Sequence, residues 1–361
     1  LRPDHLGFAG YERDTSPHLD ALRAESIWFA NAYTPAPSTR FAMASMFTGH
    51  DARRVPQGEA GTNAFALAEA ADTVAERLRR EGYDTVGFTI SYVLHHIRGL
   101  GQGFREWKTP WPHDRWADAY RTAAEQTTDA ALAYLAARPS GPFFLFAHYR
   151  CTHDPYLAYE RWDYGDAPVD RYDSALSYCD HQLGRLVERL DADPERARTA
   201  VLVVSDHGEL FGEHGLHNHG NSLFEPDVRI ALLARIPGVA PGTVETPVLL
   251  TDVAPTILQL AAAPRGAGTG RSLLRHLRDP PPAPRPLFLF TDLVRGPVHH
   301  RASAVLDWPL KLVRDRRTGS TQLYDVARDP AEARDLGPAS PAERARLADL
   351  LEGYEAFVDG S

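Results

Sequence analysis

Short apolar runs and helix-spaced segments alternate along most of this chain, and that alternation restricts its fold more than any other feature. Runs typical of buried strands cover residues 85–90, 143–148, 200–205 and 230–234. Apolar residues recur at helical spacing in residues 64–80, 116–137, 172–190 and 252–262. This order favours an α/β fold, a mostly parallel sheet flanked by helices. Such sheets bind ligands at the carboxyl ends of their strands.

The pattern changes at residues 279–286, where proline becomes frequent. Short strand-like runs follow at residues 287–291, 303–306, 310–313 and 321–324. A helix-spaced segment then covers residues 341–357. We therefore predict a large α/β unit at residues 1–280 and a small unit at residues 281–361. The small unit should hold an antiparallel sheet and one helix, packed on the first unit.

Composition excludes several classes of protein. The chain has 361 residues, of which 43% are hydrophobic and 24% charged, as in globular proteins with a sizeable core. No run approaches the roughly 20 apolar residues that cross a bilayer. We predict a soluble domain without a membrane span, cytoplasmic or periplasmic. The net charge of −9 argues against a nucleic-acid partner. Cys151 and Cys179 suggest neither a disulfide framework nor a zinc module.

The residues after the run at 200–205 have the chemistry of an active site. An apolar strand leads directly into Asp206 and His207, and three more histidines follow within thirteen residues of Asp206: His214, His217 and His219. A carboxylate and an imidazole at a strand end can bind one divalent cation. Further imidazoles can bind anions or donate protons. An Asp-His-Gly turn alone is more often a tight turn or a helix cap, so the group of histidines is what favours a site.

A second stretch places a hydroxyl at the start of a short helix. The loop at residues 34–38 leads into Thr39 and a helix near Phe41, and Gly49 is suited to end that helix. Free N–H groups and the positive end of the helix dipole stabilise a phosphate or sulfate group at such a position. Considered alone, a plain Ser or Thr helix cap is the simpler interpretation.

Together these stretches resemble the sulfatase family of the alkaline phosphatase superfamily, and the resemblance covers nearly the whole chain in family order. It includes residues 1–20 and the segment at residues 29–49, which ends in Thr48 and Gly49. Further matching segments are Gly99-Leu-Gly-Gln-Gly-Phe, His153-Asp-Pro-Tyr, residues 172–180, Asp206-His-Gly-Glu, Asp252-Val-Ala-Pro-Thr and residues 323–332. The resemblance implies the alkaline-phosphatase-like fold with a small C-terminal subdomain.

The resemblance also implies roles for individual residues. Thr39 stands at the position of the family's nucleophile, and Asp206 and His207 match metal ligands. We expect one divalent ion, Ca²⁺, Mg²⁺, Mn²⁺ or Zn²⁺, bound by Thr39, Asp206 and His207. His153 and His219 match residues that contact the substrate anion, and we expect both to act in catalysis. The predicted substrate-binding residues are Arg40, His153, His214, His219 and Asn221.

Two departures from the family pattern bear on the chemistry. Sulfatases have a cysteine or serine that matures to formylglycine where this chain has Thr39, and threonine cannot undergo that conversion. Phe41, Ala42 and Met43 also replace the maturation signal. Thr39 resembles instead the nucleophile of lipoteichoic-acid synthases and phosphoethanolamine transferases. In addition, relatives carry an acidic metal ligand at the end of their first strand, and we expect that residue on a segment preceding Leu1.

These features predict a metal-dependent hydrolase of sulfuric or phosphoric esters with Thr39 as nucleophile. The substrate should be a small-molecule, glycan or lipid anionic ester. Two alternatives stay open: a phosphoryl-group transferase with an alcohol as acceptor, and a binding module that has lost catalysis. Tryptophans in the loops at residues 107–116 and 162–169 indicate a partly apolar or sugar-like ligand. Nothing in the sequence predicts the oligomeric state.

Overall fold

The computed structural model describes residues 1–57, 66–89, 91, 94, 99–108, 116–295 and 298–360. The α-helices in these ranges are α1 Pro17–Arg23, α2 Thr39–Thr48, α3 Val74–Arg80, α4 Trp116–Ala137, α5 Pro168–Asp191, α6 Glu225–Val228, α7 Val253–Leu260 and α8 Pro341–Asp359. The strands are β1 Ile27–Phe29, β2 Ala32–Tyr33, β3 Asp84–Thr89, β4 Glu106–Lys108, β5 Phe143–His148, β6 Val201–Val204, β7 Leu210–Phe211, β8 His217–Asn218, β9 Arg229–Ile230, β10 Leu232–Arg235, β11 Gly242–Val244, β12 Val248–Leu249, β13 Leu287–Arg295, β14 Val298–Asp307, β15 Leu310–Asp315 and β16 Thr321–Asp325. Parts of three predicted segments lie outside the described residues. They are residues 64–65 of the predicted helix, residue 90 of the predicted strand and residues 109–115 of the tryptophan-containing loop.

Helix ends follow local sequence signals, with one correction to the predicted elements. Gly49 ends α2 in the left-handed conformation, with φ of 70°. The helix predicted from residue 64 begins only at Val74. Thr73 and Glu76 form a capping box there, in which each side chain accepts a hydrogen bond from the backbone N–H of the other residue. Residues 66–72 are not helical, and Leu67 pairs with Gln57 in an isolated β-bridge.

Parallel and antiparallel strand pairs both occur in the large part of the fold. One sheet has the order β4-β3-β5, and both of its pairs are parallel. A second sheet has the order β11-β1-β10-β6, in which β10 runs antiparallel to β1 and to β6. A third has the order β12-β2-β9. With helices on both faces, these sheets confirm the predicted α/β class.

Alternate residues of the central strands bury opposite faces of the sheets. Leu202 and Val204 of β6 pack on one side, against the core that contains α2, α3 and α7. Val201 and Val203 pack on the other side, against α1 and α5. The residues of β5 alternate in the same way. One set packs against the core that contains α2, and the other set packs against α4. This two-sided burial explains why both strands are continuous apolar runs in the sequence.

A slot separates β5 from β6. Each of these strands lies at the end of its sheet, so within the described residues each has one edge without a partner. All residues of β5 and of β6 are only partly buried, although nearly all of them are apolar. The strands line a cavity of about 1030 Å³, and Leu1 and Asp206 also line it. The slot therefore reaches the carboxyl ends of both strands.

The C-terminal sheet confirms the predicted small antiparallel unit. Its order is β13-β14-β15-β16, and every pair is antiparallel. One face packs on α8 through Val305, Leu312 and Leu351. The other face shares a core with Tyr33 and Leu249 of the large part. The boundary at residue 280 stays a prediction. Within the described ranges no helix is both long and apolar enough to cross a membrane.

Candidate functional site

Thr39 is the first residue of α2, and its hydroxyl meets a histidine. The Oγ1 atom lies 3.1 Å from Nε2 of His207. Residues 42–48 of the helix are buried, whereas Thr39 and Arg40 are half-buried. The core therefore fixes the helix while its N-terminal end stays accessible. The positive end of the helix dipole at this position favours an anionic group beside the hydroxyl.

Asp206 and His207 follow β6 and lie beside Thr39. Nε2 of His207 is 3.4 Å from Oδ2 of Asp206, and its Nδ1 is 2.8 Å from the Gly208 carbonyl oxygen. A carbonyl can only accept, so Nδ1 carries the proton and the Nε2 lone pair faces Thr39 and Asp206. Burial lowers the pKa of His207 to about 4. Burial acts to raise the pKa of Asp206, but His207 and other basic groups outweigh it, and that pKa is lowered.

His219 lies directly over His207. Their rings are stacked with centroids 4.2 Å apart. Nδ1 of His219 lies 3.1 and 3.2 Å from the two carboxylate oxygens of Glu209. Burial acts to lower the pKa of His219, but the hydrogen bond to Glu209 and its charge outweigh burial, and the pKa is raised. His219 can therefore carry positive charge next to His207.

The turn after β5 adds His153 to the same cluster. Its ring meets that of His219 edge to face, with centroids 4.9 Å apart. Nδ1 of His153 lies 2.8 Å from Nη2 of Arg150 and 2.6 Å from the Asp154 carbonyl oxygen. Burial, and then the charge of Arg150, lower the pKa of His153 to about 2. The ring is therefore neutral at neutral pH, and Arg150 supplies the permanent positive charge on this side.

Other predicted substrate residues lie apart from this cluster. His214 stacks on Phe224 with ring centroids 3.6 Å apart, and its Nε2 is 3.1 Å from the Ala331 carbonyl oxygen. The side chain of Asn221 donates to the carbonyl of His217, whose own side chain is exposed. The structure thus shows no contact between these side chains and Thr39 or His207. Their assignment to substrate binding stays a prediction.

Three residues of the cluster were not assigned a role from the sequence: His148, Arg150 and Glu209. His148 ends β5, and its Nδ1 lies 3.0 Å from Oγ1 of Thr89 at the end of β3. Burial lowers the pKa of His148 to about 4. A usable signal existed, because polar residues just after a predicted buried strand pointed to Asp206. The same reasoning applied to the run at residues 143–148 would have found His148 and Arg150.

The donor atoms around Thr39 are of the kinds that bind divalent metal ions. In the part of the chain that the structure describes, no group of three or more His, Cys, Asp or Glu side chains could hold a metal ion. Asp206 and His207 nevertheless place a carboxylate oxygen and an unprotonated Nε2 3.4 Å apart. The Gly208 carbonyl fixes the ring of His207, as the outer partners of metal ligands do. With Oγ1 of Thr39 these atoms fit a divalent ion that takes further oxygen ligands.

Comparisons with known proteins identify related sequences. The profile of the sulfatase family matches residues 1–263. The choline-sulfatase of Rhizobium meliloti (strain 1021) is 26% identical in an alignment 439 positions long, which covers 95% of this chain and 82% of that protein. The phosphatidylethanolamine transferase Mcr-1 of Escherichia coli is 23% identical over 300 residues, which cover 72% of this chain and 51% of that protein.

Solved structures show the same fold at low sequence identity. The phosphonate monoester hydrolase of Agrobacterium radiobacter superposes with a TM-score of 0.79 at 19% identity, covering 99% of this chain and 94% of that one. A likeness at this level of identity shows the fold alone. The family profile covers most of the chain, and by that match the chain belongs to the sulfatase family of ester-hydrolysing enzymes.

Proposed function

We propose that this enzyme hydrolyses sulfuric or phosphoric esters with Thr39 as nucleophile and with one divalent metal ion. The observation that carries the proposal is the contact of 3.1 Å between Oγ1 of Thr39 and Nε2 of His207 at the start of α2. The hydroxyl faces an imidazole lone pair and the positive end of a helix dipole. The helix dipole favours an anionic ester beside the hydroxyl.

Asp206, His207 and Thr39 would hold the metal ion. A bound divalent ion would lower the pKa of the Thr39 hydroxyl and neutralise charge on the ester oxygens. The slot between β5 and β6 supports one more ligand, because Asp206 lines it. We propose that a chain segment filling the slot supplies the acidic ligand that the resemblance implies. Ca²⁺, Mg²⁺, Mn²⁺ and Zn²⁺ all suit these donors.

The remaining side chains have distinct tasks in the proposed reaction. Oγ1 of Thr39 gives its proton to solvent water and forms a bond to phosphorus or sulfur. The bond from that atom to the ester oxygen breaks, and the ester oxygen leaves with the electron pair. His219, charged through its contact with Glu209, gives a proton to that oxygen. Arg150 and His153 bind the oxygens that do not leave. Water then breaks the bond to Thr39 and releases the inorganic anion.

An unmodified threonine favours phosphoric esters over sulfuric esters, because it lacks the hydrate chemistry by which formylglycine releases sulfate. We expect metal-saturated enzyme to hydrolyse 4-nitrophenyl phosphate or bis(4-nitrophenyl) phosphate at least as fast as 4-nitrophenyl sulfate. Side-by-side measurement of kcat/KM tests this expectation. A clear preference for the sulfate would contradict the role given to an unmodified Thr39.

Transfer to an alcohol is the second candidate function, and the similarity to a phosphatidylethanolamine transferase favours it. In that case an alcohol replaces water in the step that breaks the bond to Thr39. Analysis of the products in the presence of an alcohol acceptor separates the two functions. A hydrolase yields mainly the inorganic anion, whereas a transferase yields mainly the new ester.

Substitution of the nucleophile tests the whole proposal. Thr39→Ala should reduce kcat by about 10³-fold or more and change the free energy of unfolding by only about 1 kcal/mol. Ser38→Ala is the matched control, because the Ser38 side chain makes no capping hydrogen bond to α2 and should be dispensable. Activity that survives in Thr39→Ala but not in Ser38→Ala would move the nucleophile by one residue.

Metal dependence has its own test. A chelator should abolish turnover by the wild type, and an added divalent ion should restore it. If the wild type stays inactive when it is saturated with Ca²⁺, Mg²⁺, Mn²⁺ or Zn²⁺ in turn, the result would favour the alternative of a binding module that has lost catalysis.

A further inference from the structure

A lysine of the C-terminal sheet is fully buried and keeps its charge. Lys311, on β15, has no solvent exposure. Its Nζ donates to the Leu223 carbonyl oxygen at 2.9 Å and lies 2.8 Å from Oε1 of Glu225 and 2.7 Å from Oε1 of Glu332. The ammonium group thus donates two hydrogen bonds, to Leu223 and Glu225, and forms an ion pair with Glu332. Burial acts to lower the pKa of Lys311, but the two carboxylates outweigh it, and the pKa is raised.

The partners of Lys311 fix the short helix α6. Glu225 is the first residue of α6, and Leu223 lies two residues before it. The N–H of Glu225 donates to Oε2 of Glu332 at 2.6 Å. Oε2 of Glu225 accepts a hydrogen bond from the Tyr33 hydroxyl at 3.0 Å. A helix of four residues has almost no stability of its own. Its position therefore depends on these contacts with the rest of the protein.

In turn, α6 holds both ends of the histidine loop, which we define as residues 206–222. Two backbone N–H groups near each end of the loop donate to α6. The four bonds are Gly208 N to Asp227 O at 2.9 Å, Glu209 N to Pro226 O at 2.9 Å, Gly220 N to Asp227 Oδ1 at 3.2 Å and Ser222 N to Asp227 Oδ2 at 3.1 Å. Glu209 and His219 belong to the segment between the first and last of these amides, and His207 directly precedes Gly208. The placement of these side chains thus depends on α6.

We propose that Lys311 is a positioning residue, which acts through α6 to keep Glu209 and His219 in place beside His207. Lys311 itself touches neither the substrate nor the reacting atoms. The proposal rests on the function proposed above, since it gives the C-terminal sheet a part in catalysis. The sheet also reaches the loop at a second point, because the Thr291 hydroxyl of β13 donates to the Gly220 carbonyl oxygen at 2.5 Å.

The charge of Lys311 makes it hard to replace. Without the ammonium group, the carboxylates of Glu225 and Glu332 would face each other in a buried site. One of them would then have to bind a proton or move away. Movement of Glu332 breaks its hydrogen bond with the N–H of Glu225, which starts α6. Loss of the lysine should therefore loosen α6 first and the histidine loop with it.

Hydrogen exchange of the whole protein, measured with and without Lys311, tests the proposal independently of activity. Lys311→Met removes the charge at nearly constant size. Arg314→Met is the matched control on the same strand, because Arg314 pairs with Glu352 and Glu355 of α8 and not with α6. The loop amides that donate to α6 are compared with the amides of residues 303–306 in β14, which report opening of the sheet.

In Lys311→Met we expect the loop amides to exchange at least about tenfold faster relative to those of β14. We also expect kcat to fall by about 10²-fold at temperatures well below the unfolding midpoint. In Arg314→Met both the exchange ratio and kcat should equal those of wild type. A merely structural role would speed exchange in the loop and in β14 together, or leave kcat unchanged in folded protein, and either result would overturn the proposal.

A second variant keeps the test usable if Lys311→Met does not fold. Lys311→Met combined with Glu332→Gln leaves one buried carboxylate instead of two, so it should be more stable. It still lacks the bonds from Nζ to Leu223 and Glu225, and fast loop exchange should persist. Slow, wild-type exchange in a folded double variant would refute the positioning role. Absence of ester hydrolysis by wild type would refute the proposed function, while the exchange result would stand by itself.

Discussion

Asp227 should make the stability of this protein depend on pH. Its side chain is fully buried. Oδ1 accepts from the N–H of Gly220, and Oδ2 accepts from the N–H and the hydroxyl of Ser222. These bonds favour the ionised form, but burial is the larger effect and raises the pKa of Asp227 from 3.8 to about 7.

The magnitude follows from that difference between the folded and unfolded chains. Between pH 4 and pH 7 the folded protein keeps a proton on Asp227 that the unfolded chain releases. Stability should therefore fall as the pH rises through this range and level off above about pH 7. Three pKa units correspond to about 4 kcal/mol. Asp227→Asn cannot ionise, so the variant should lack this fall.

Urea unfolding of both proteins between pH 4.5 and pH 8 measures the effect as a difference in the free energy of unfolding. Asp173→Asn is the control. Burial acts to raise the pKa of Asp173, but its bonds with His5, Tyr11 and Arg13 lower it. The stability that Asp173 contributes is lost only below the ordinary pKa of an aspartate. The difference in the free energy of unfolding between wild type and Asp173→Asn should therefore stay constant between pH 4.5 and pH 8. The reasoning would be refuted if the difference in the free energy of unfolding between wild type and Asp227→Asn changed by less than about 1 kcal/mol from pH 4.5 to pH 8.

Two further predictions concern the histidine loop. Gly208→Ala should destabilise the protein by about 3 kcal/mol and slow hydrolysis, because a Cβ would lie 1.9 Å from the Pro226 carbonyl oxygen. Gly353→Ala on α8 meets nothing within 4 Å and should stabilise it by up to about 1 kcal/mol, so equal urea midpoints for the two variants would contradict this expectation. Glu209→Gln should move the alkaline fall of the pH–rate profile to lower pH. Glu209 raises the pKa of His219, and the protonated ring is lost as the pH passes that pKa. An unmoved alkaline limb would exclude His219 as the cation.

The sequence by itself determined the elements that local patterns encode. The predicted bounds of α4 and β5 are those of the structure, because helical spacing and a bounded apolar run are properties of neighbouring residues. The sequence also predicted that Thr39, Asp206 and His207 come together. That prediction followed from the rule that polar residues after buried strands meet at one edge of a sheet, and from the order of motifs along the chain.

Only the tertiary structure decided how distant segments pair. It placed Arg150 against His153, separated β5 from β6 by a slot, and kept the ring of His214 on Phe224. Lys311 lies in a predicted strand, and only the structure shows that it binds Glu225 from 86 positions away. Local periodicity specifies which face of an element is buried. It does not specify which partner buries that face, because the partner is chosen by the packing of the whole chain.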